Sequence, residues 1–317
     1  MKLLGRIVAL LALAVAATAQ AQNLSIATGG TGGVYYPLGG GMAAVLSKYV
    51  DGMQATAEVT GGSVANLQLI GTAKPYIALT MSDATLDAYK GEDKFKGKPV
   101  AVRTLMILYP NRMHVVTLDG TGIRKIADLK GKRVSTGSGG SATEVMAFRV
   151  IEAAGLDKDK DMRRERLGVA ESASALKDRK IDAFFWVGGL PTAAVTDLAS
   201  TPGIRIRLID HADLVPAMNK KYGDLYVKDT IGKDVYRGME RDNDQATVMN
   251  LLVAHEKMDD KTAYNIVKAV FDHRDELIRV HKEAENIKLE SQKKEASPIP
   301  WHPGAMKYFA EKGLKLQ

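Results

Sequence analysis

The chain has 317 residues and no cysteine, with 44 Lys and Arg against 37 Asp and Glu for a formal net charge of +7. The missing thiols exclude disulfides, thiolate metal sites and cysteine nucleophiles. The charge favours anionic partners weakly. Basic residues alternate with acidic ones, as in Lys158-Asp159-Lys160-Asp161, so nothing gathers them into the basic face that nucleic-acid binding needs.

Lys2 and Arg6 precede an apolar run, Ile7 to Ala17, shorter than the roughly 20 residues of a bilayer span. Ala19-Gln20-Ala21 follows with the small-x-small pattern of a cleavage site. Residues 1–21 are therefore expected to be a cleaved signal peptide, giving a periplasmic protein that starts at Gln22. Without a cysteine at that point no lipid anchor is expected. The remaining ~295 residues suggest two lobes, and a monomer is expected.

Short β-like runs then alternate with helical patterns, which points to an α/β fold with mainly parallel strands. Leu24 to Ala27 reads as a strand that breaks at Gly29-Gly30-Thr31-Gly32-Gly33, before a helix over about 37–50. A second strand, 55–59, leads through Gly61-Gly62 to a helix over 63–70, for which Ser63 can serve as N-cap. A third, 76–79, ends at Ser82-Asp83. Two further strands are predicted over 105–109 and 114–118, and another at Val134. There the opening device recurs: Gly137-Ser138-Gly139-Gly140-Ser141 precedes a helix over 142–154. Ile181 to Val187 reads as a buried strand ending at Gly188-Gly189, with Pro191 at the first position of the next helix. Lys261 to Glu290 reads as one long helical stretch, and Pro303 to Lys312 as a last helix. This helical tail is expected to fold back on the first lobe, with 249–253 and the run near His114 as the two crossovers.

The glycine turns invite a nucleotide reading, but Tyr35 stands where a dinucleotide fingerprint needs its third glycine, and neither turn supplies the Gly-Lys-Ser/Thr of a phosphate loop. No cofactor is expected. What the turns do offer is backbone N–H groups at helix starts, an anion site that needs no cation. Ser138, Ser141 and Thr143 add hydroxyl donors. Ser82 and Asp83 lie past the carboxyl end of a strand, where open α/β sheets place ligands; Asp83 is open between that role and capping a helix from Ala84. Trp186, Tyr35 and Tyr36 are open between core and pocket wall. Catalytic patterns are thin. The surroundings of Ser138 lack the Gly-x-Ser-x-Gly spacing, and the six histidines are scattered without an i, i+4 pair, so neither hydrolase chemistry nor a metal is expected.

Several stretches together resemble the TAXI family of TRAP-transporter receptors: Ala27 to Tyr36, Thr60 to Leu67, Asp128 to Val134, Ile181 to Phe185 with Gly188 and Pro191, and His302-Pro303-Gly304-Ala305. The resemblance implies a type II periplasmic-binding-protein fold, two-lobed, with a ligand cleft between the lobes and a helical C-terminal tail. The lobes would comprise 22–115 plus 252–317, and 116–251. It implies a non-enzymatic receptor for a small anionic organic ligand, glutamate, glutamine or a dicarboxylate, handed to TRAP membrane permease subunits. The positions that match the family's cleft motifs are Gly30, Thr31, Gly33, Tyr35, Tyr36, Ser63, Asn66, Ser82, Asp83, Ser138, Ser141, Thr143, Trp186 and Gly188. On this reading the glycine loops hold a carboxylate, and Asp83 accepts from an amino group. A receptor for an ATP-driven importer, a sensor, an exported enzyme or a surface adhesin are the alternatives.

Overall fold

A computed structural model describes residues 22–316; the signal-peptide reading of residues 1–21 lies outside them. The described chain is a mixed α/β protein built on one ten-stranded sheet. The strands are β1 (Gln22–Ala27), β2 (Met53–Glu58), β3 (Tyr76–Met81), β4 (Val102–Leu118), β5 (Arg133–Ser135), β6 (Arg163–Glu165), β7 (Ala183–Gly188), β8 (Ile206–Leu208), β9 (Val227–Ile231) and β10 (Asn243–His255). Their order is β2-β1-β3-β10-β4-β7-β5-β6, with β8 on β4 and β9 on β10.

Two long strands make this one sheet serve two lobes. β4 runs antiparallel to β10 along the whole crossing, from Val102 opposite His255 to Arg112 opposite Thr247. At one end β10 pairs with β3, which continues into the parallel set β3-β1-β2. At the other end β4 pairs with β7 and β8, and β7 continues into β5 and β6. The two strands expected over 105–109 and 114–118 are thus a single strand. Pro110 interrupts it in sequence without ending it, because the ladder slips between Met249 and Leu251, directly opposite. A proline lacks the N–H of a regular rung and is tolerated at such a bulge.

The helices that shape the cleft are α1 (Tyr35–Tyr49), α2 (Ser63–Ile70), α3 (Ser82–Lys90), α4 (Ala142–Ala153), α5 (Val169–Lys177) and α6 (Ala193–Ser200). Further on come α7 (Val215–Tyr222), α8 (Asp260–Asp272), α9 (Arg274–Val280) and α10 (Pro303–Glu311). The long helical stretch expected over 261–290 is broken at His273, whose φ of −117° and ψ of 25° leave the helix. It then continues as α9 and a series of 3₁₀ turns that bury Leu277, Ala284 and Ile287. Those turns follow the surface they cover, which a straight helix could not. α8 and α9 pack on α1, and α10 packs on α8. The tail therefore seals the first lobe, with Trp301, Phe309 and Phe271 meeting edge to face, an arrangement favoured by the aromatic quadrupole. Pro191 lies ahead of α6 rather than at its first position, since Thr192 occupies the N-cap.

Candidate functional site

Between the lobes lies a cavity of about 410 Å³, within the size range of small-molecule sites. Four helices begin on its wall. Gly33, Val34 and Tyr35 bring the start of α1, Gly62 and Ser63 that of α2, Ser141 to Thr143 that of α4, and Gly168 and Val169 that of α5. Each start carries unpaired N–H groups and the positive end of a helix dipole. The starts of α1, α2 and α5 have no side-chain cap, whereas Ser141 caps α4 by accepting from the Glu144 N–H at 3.1 Å. The remaining wall is largely apolar, from Val59, Met81, Leu167, Val187 and the face of Trp186. A polarised, largely apolar site of this kind stabilises a negative charge without a cationic side chain.

The lobes meet above this cavity at two seams. Ser138 Oγ donates to the Gly61 carbonyl at 2.9 Å, and the Ala65 N–H donates to the Gly140 carbonyl at 3.0 Å. A Cβ on Gly61 would stand 2.6 Å from the Gly139 oxygen. On the other side the Ala194 N–H donates to the Gly32 carbonyl at 3.3 Å. There a Cβ on Gly33 would stand 2.8 Å from the Trp186 ring. Glycine lets the opposite lobes approach to backbone contact at Gly61 and lets the Trp186 ring pack on the backbone at Gly33. The lobes touch on both sides of the cavity.

Of the residues singled out in the sequence, Gly30, Gly33, Tyr35, Ser63, Ser138, Ser141, Thr143, Trp186 and Gly188 all line the cavity. The two glycine turns, far apart in sequence, are thereby brought face to face. Ser63 is not the cap of α2. Gly62 holds that position, and Ser63 Oγ instead accepts from the Met81 N–H at 3.1 Å, tying the helix to β3. Tyr35 donates to Asn250 Oδ1 at 2.5 Å, and burial raises its hydroxyl pKa.

Five expected residues do not line the cavity. Thr31 and Tyr36 sit on the outward side of the first turn, where Tyr36 is 37% exposed. Asn66 is buried and spends its amide on the carbonyls of Ala27, Thr28 and Leu79, so it stitches the strand ends together. Ser82 is buried as the first residue of α3. Asp83 is fully buried and belongs to an ion cluster: it accepts from Tyr226 Oη at 2.8 Å and faces Arg149 Nη1 at 3.8 Å. Arg149 also donates to Tyr226 Oη at 2.8 Å and to Asp87 Oδ2 at 2.5 Å. Burial pushes the Asp83 carboxyl upward and that of Asp87 to about 6, each held back by Arg149. Asp83 is thus committed to protein partners and cannot take the role of receiving a ligand amino group.

Sequence reasoning missed Tyr109, Asn111, Arg166 and Glu171, all of which line the cavity. Arg166 is already engaged: Nε and Nη2 donate to both oxygens of the buried Glu144, at 2.7 and 3.3 Å. Tyr109 and Asn111 flank Pro110, between the two strands expected over 105–109 and 114–118. The one available signal was that polar pair at an interrupted strand.

Behind the wall a buried chain orients Trp186. Its Nε1 donates to Thr192 Oγ1 at 2.9 Å, the Thr192 N–H donates to Tyr236 Oη at 3.0 Å, and Tyr236 Oη lies 2.9 Å from His114 Nε2. His114 Nδ1 sits 2.9 Å from the Arg112 carbonyl, which can only accept, so Nδ1 carries the proton and Nε2 accepts from Tyr236. Burial lowers the His114 pKa to about 4 and does the same for His211. Both fall below the value near 6.5 of the unfolded chain, so stability is present above that value and lost as pH falls toward 4. By pH 5 the loss is expected to reach about 2 kcal/mol for each histidine. Asp87, raised to about 6, acts in the opposite sense over the same window. The measurement is therefore a difference in urea unfolding between wild type and His211→Gln at pH 7 and pH 5, with the variant losing about half the histidine effect. Identical pH slopes would contradict it.

Among the described residues no group of three His, Asp or Glu side chains comes together as a metal site, and no helix is long and apolar enough to cross a membrane.

Solved structures share this architecture. The chain is similar to periplasmic binding protein BugD, with 13% identity and a TM-score of 0.54 over 83% of this chain and 87% of the other. It is similar to a protein from Bordetella bronchiseptica RB50, with 19% identity and a TM-score of 0.53 over 92% and 89%. It also resembles a periplasmic transporter, with 13% identity and a TM-score of 0.53 over 93% and 99%. Likeness at this level shows the two-lobed fold of periplasmic binding proteins. The sequence itself matches the NMT1-like family from residue 26 to residue 313, nearly its whole length, and the chain belongs to that family.

Proposed function

We propose that this protein is a periplasmic receptor that closes on a small organic carboxylate, performs no chemistry on it, and delivers it to a membrane permease. The observation that carries this reading is the convergence of four helix starts on one largely apolar cavity between the lobes. Charge is supplied by fixed backbone dipoles, which bind an anion and activate nothing. The likeness to proteins described as periplasmic supports the location, as does the apolar segment ahead of Gln22. The permease is proposed to be of the ion-driven TRAP type, on the sequence's resemblance to TAXI receptors. The two lobes are proposed to comprise 22–115 with 252–317, and 116–251, exchanging between open and closed forms by bending at β4 and β10.

Trp186 gives a direct test, because it is one of only two tryptophans and the other, Trp301, is buried in the helical tail. Titrating the mature protein, refolded free of bound ligand, with small carboxylates is expected to shift Trp186 emission at micromolar concentration or below, equivalent to about −8 kcal/mol or stronger. The shift is expected to vanish in Trp186→Phe while calorimetry still records binding. Turnover of the bound acid, or no response to any carboxylate, would overturn the proposal.

A further inference from the structure

Two polar side chains in the cavity have no assigned partner, and both lie on the strand that crosses between the lobes. Tyr109 is fully buried and Asn111 is 2% exposed. Tyr109 Oη and Asn111 Oδ1 find no hydrogen-bond partner among the described residues, yet both residues line the cavity. Buried polar atoms left unpaired are rare in native proteins, and each calls for an explanation.

We propose that Tyr109 and Asn111 form a second recognition point, for an uncharged polar group of the ligand, so that the protein selects organic monoanions bearing a keto, hydroxyl or amide group over dicarboxylates. This rests on the reading of the cavity as a carboxylate receptor and narrows its substrate class.

The surroundings hold both groups in place. A Cβ on Gly189 would lie 2.9 Å from Tyr109 Cε2, so the ring is packed against the Gly189 backbone. The Tyr109 carbonyl accepts from Asn250 Nδ2 at 3.3 Å. Asn111 sits opposite Val248 within the crossing ladder. Both groups are neutral: burial holds the Tyr109 hydroxyl well above its ordinary pKa, and an amide does not titrate. A phenol and an amide can each donate and accept, which suits a keto, hydroxyl or amide group equally.

Neither suits a second carboxylate. The helix starts answer one negative charge. The charged side chains of the lining are Arg166, which shares the buried Glu144 with Arg164, and Glu171, which repels an anion. A second carboxylate placed on Tyr109 and Asn111 would surrender its hydration for two neutral groups, which is strongly unfavourable.

The test uses the whole mature chain and four acids of one chain length: pentanoate, 4-oxopentanoate, glutaramate and glutarate. Calorimetry is expected to show 4-oxopentanoate or glutaramate binding at least about tenfold tighter than both pentanoate and glutarate, as polar-group recognition in a buried site allows. Tyr109→Phe and Asn111→Leu should each bring that preference to within about twofold, by weakening 4-oxopentanoate and glutaramate more than pentanoate. Tyr109→Phe should melt no lower than wild type without ligand, since it removes an unpaired hydroxyl. Glutarate binding as tightly as glutaramate, or variants that weaken all four acids alike, would overturn the inference while leaving the receptor reading intact. If no acid binds, the receptor reading itself falls.

Discussion

Replacing Arg149 by methionine is expected to cost about 3–5 kcal/mol of folding stability at pH 7, the range for removing one partner from a buried ion pair. Arg149 is only 5% exposed and reaches Asp87, Tyr226 and Asp83 from α4. Its guanidinium also lies 4.3 Å over the ring of Tyr222. Burial works against its charge, but the acidic neighbours outweigh this and raise its pKa. Without it, two carboxylates stay buried beside each other with only Tyr226 as a donor side chain. They then regain stability by taking up protons. The deficit should therefore shrink as pH falls below about 6, where Asp87 begins to protonate even in the intact cluster. Urea unfolding at pH 7 and pH 5 measures both. A deficit under about 1 kcal/mol, or one that does not change with pH, would mean that water reaches the cluster and screens it.

Gly61→Ala is expected to weaken ligand binding by about tenfold or more, some 1.4 kcal/mol, with little change in the stability of the ligand-free protein. The added methyl would sit 2.6 Å from the Gly139 oxygen of the facing lobe. That neighbour is backbone, fixed by the turn that also supplies Ser138 and Ser141, and cannot swing aside. Gly61 has no positive φ, so the open form tolerates alanine and only closure is obstructed. Calorimetry gives the affinity, and small-angle scattering with saturating ligand should show a more open average. Equal affinity for both proteins would place the closing seam elsewhere.

The legible part of the molecule was what local chemistry determines. The helix over 63–70 follows from its glycine pair and apolar spacing, and the structure places it there unchanged. The two glycine turns announced helix starts, and the fold puts both on one cavity. What sequence could not supply were pairings between distant segments. Asp83 does lie just past the end of β3, as its position suggested. Its partner Arg149, however, comes from α4, distant in sequence, and nothing near Asp83 announces it. The same holds for Tyr109-Pro110-Asn111, which looked like a gap between strands. The extra residue of the slip lies in β4 itself, beside Pro110, and only the folded sheet shows that the strand continues and that Tyr109 and Asn111 both line the cavity.

The unbroken crossing of β4 and β10 has a mechanical consequence. Lobes joined by loose loops swing freely, whereas these are joined by a hydrogen-bonded ribbon that stores energy when twisted. Its weak point is the irregularity where β4 carries one residue more than β10 between Ile107 and Pro110 and bends, opposite Asn250. That residue's side chain holds Tyr35 on one side and the Tyr109 carbonyl on the other. The joint thus works as a torsion spring with its pivot wired to the cavity wall. On the proposed receptor reading, a ligand in the cavity would bear on that pivot through Tyr35, which lines the wall.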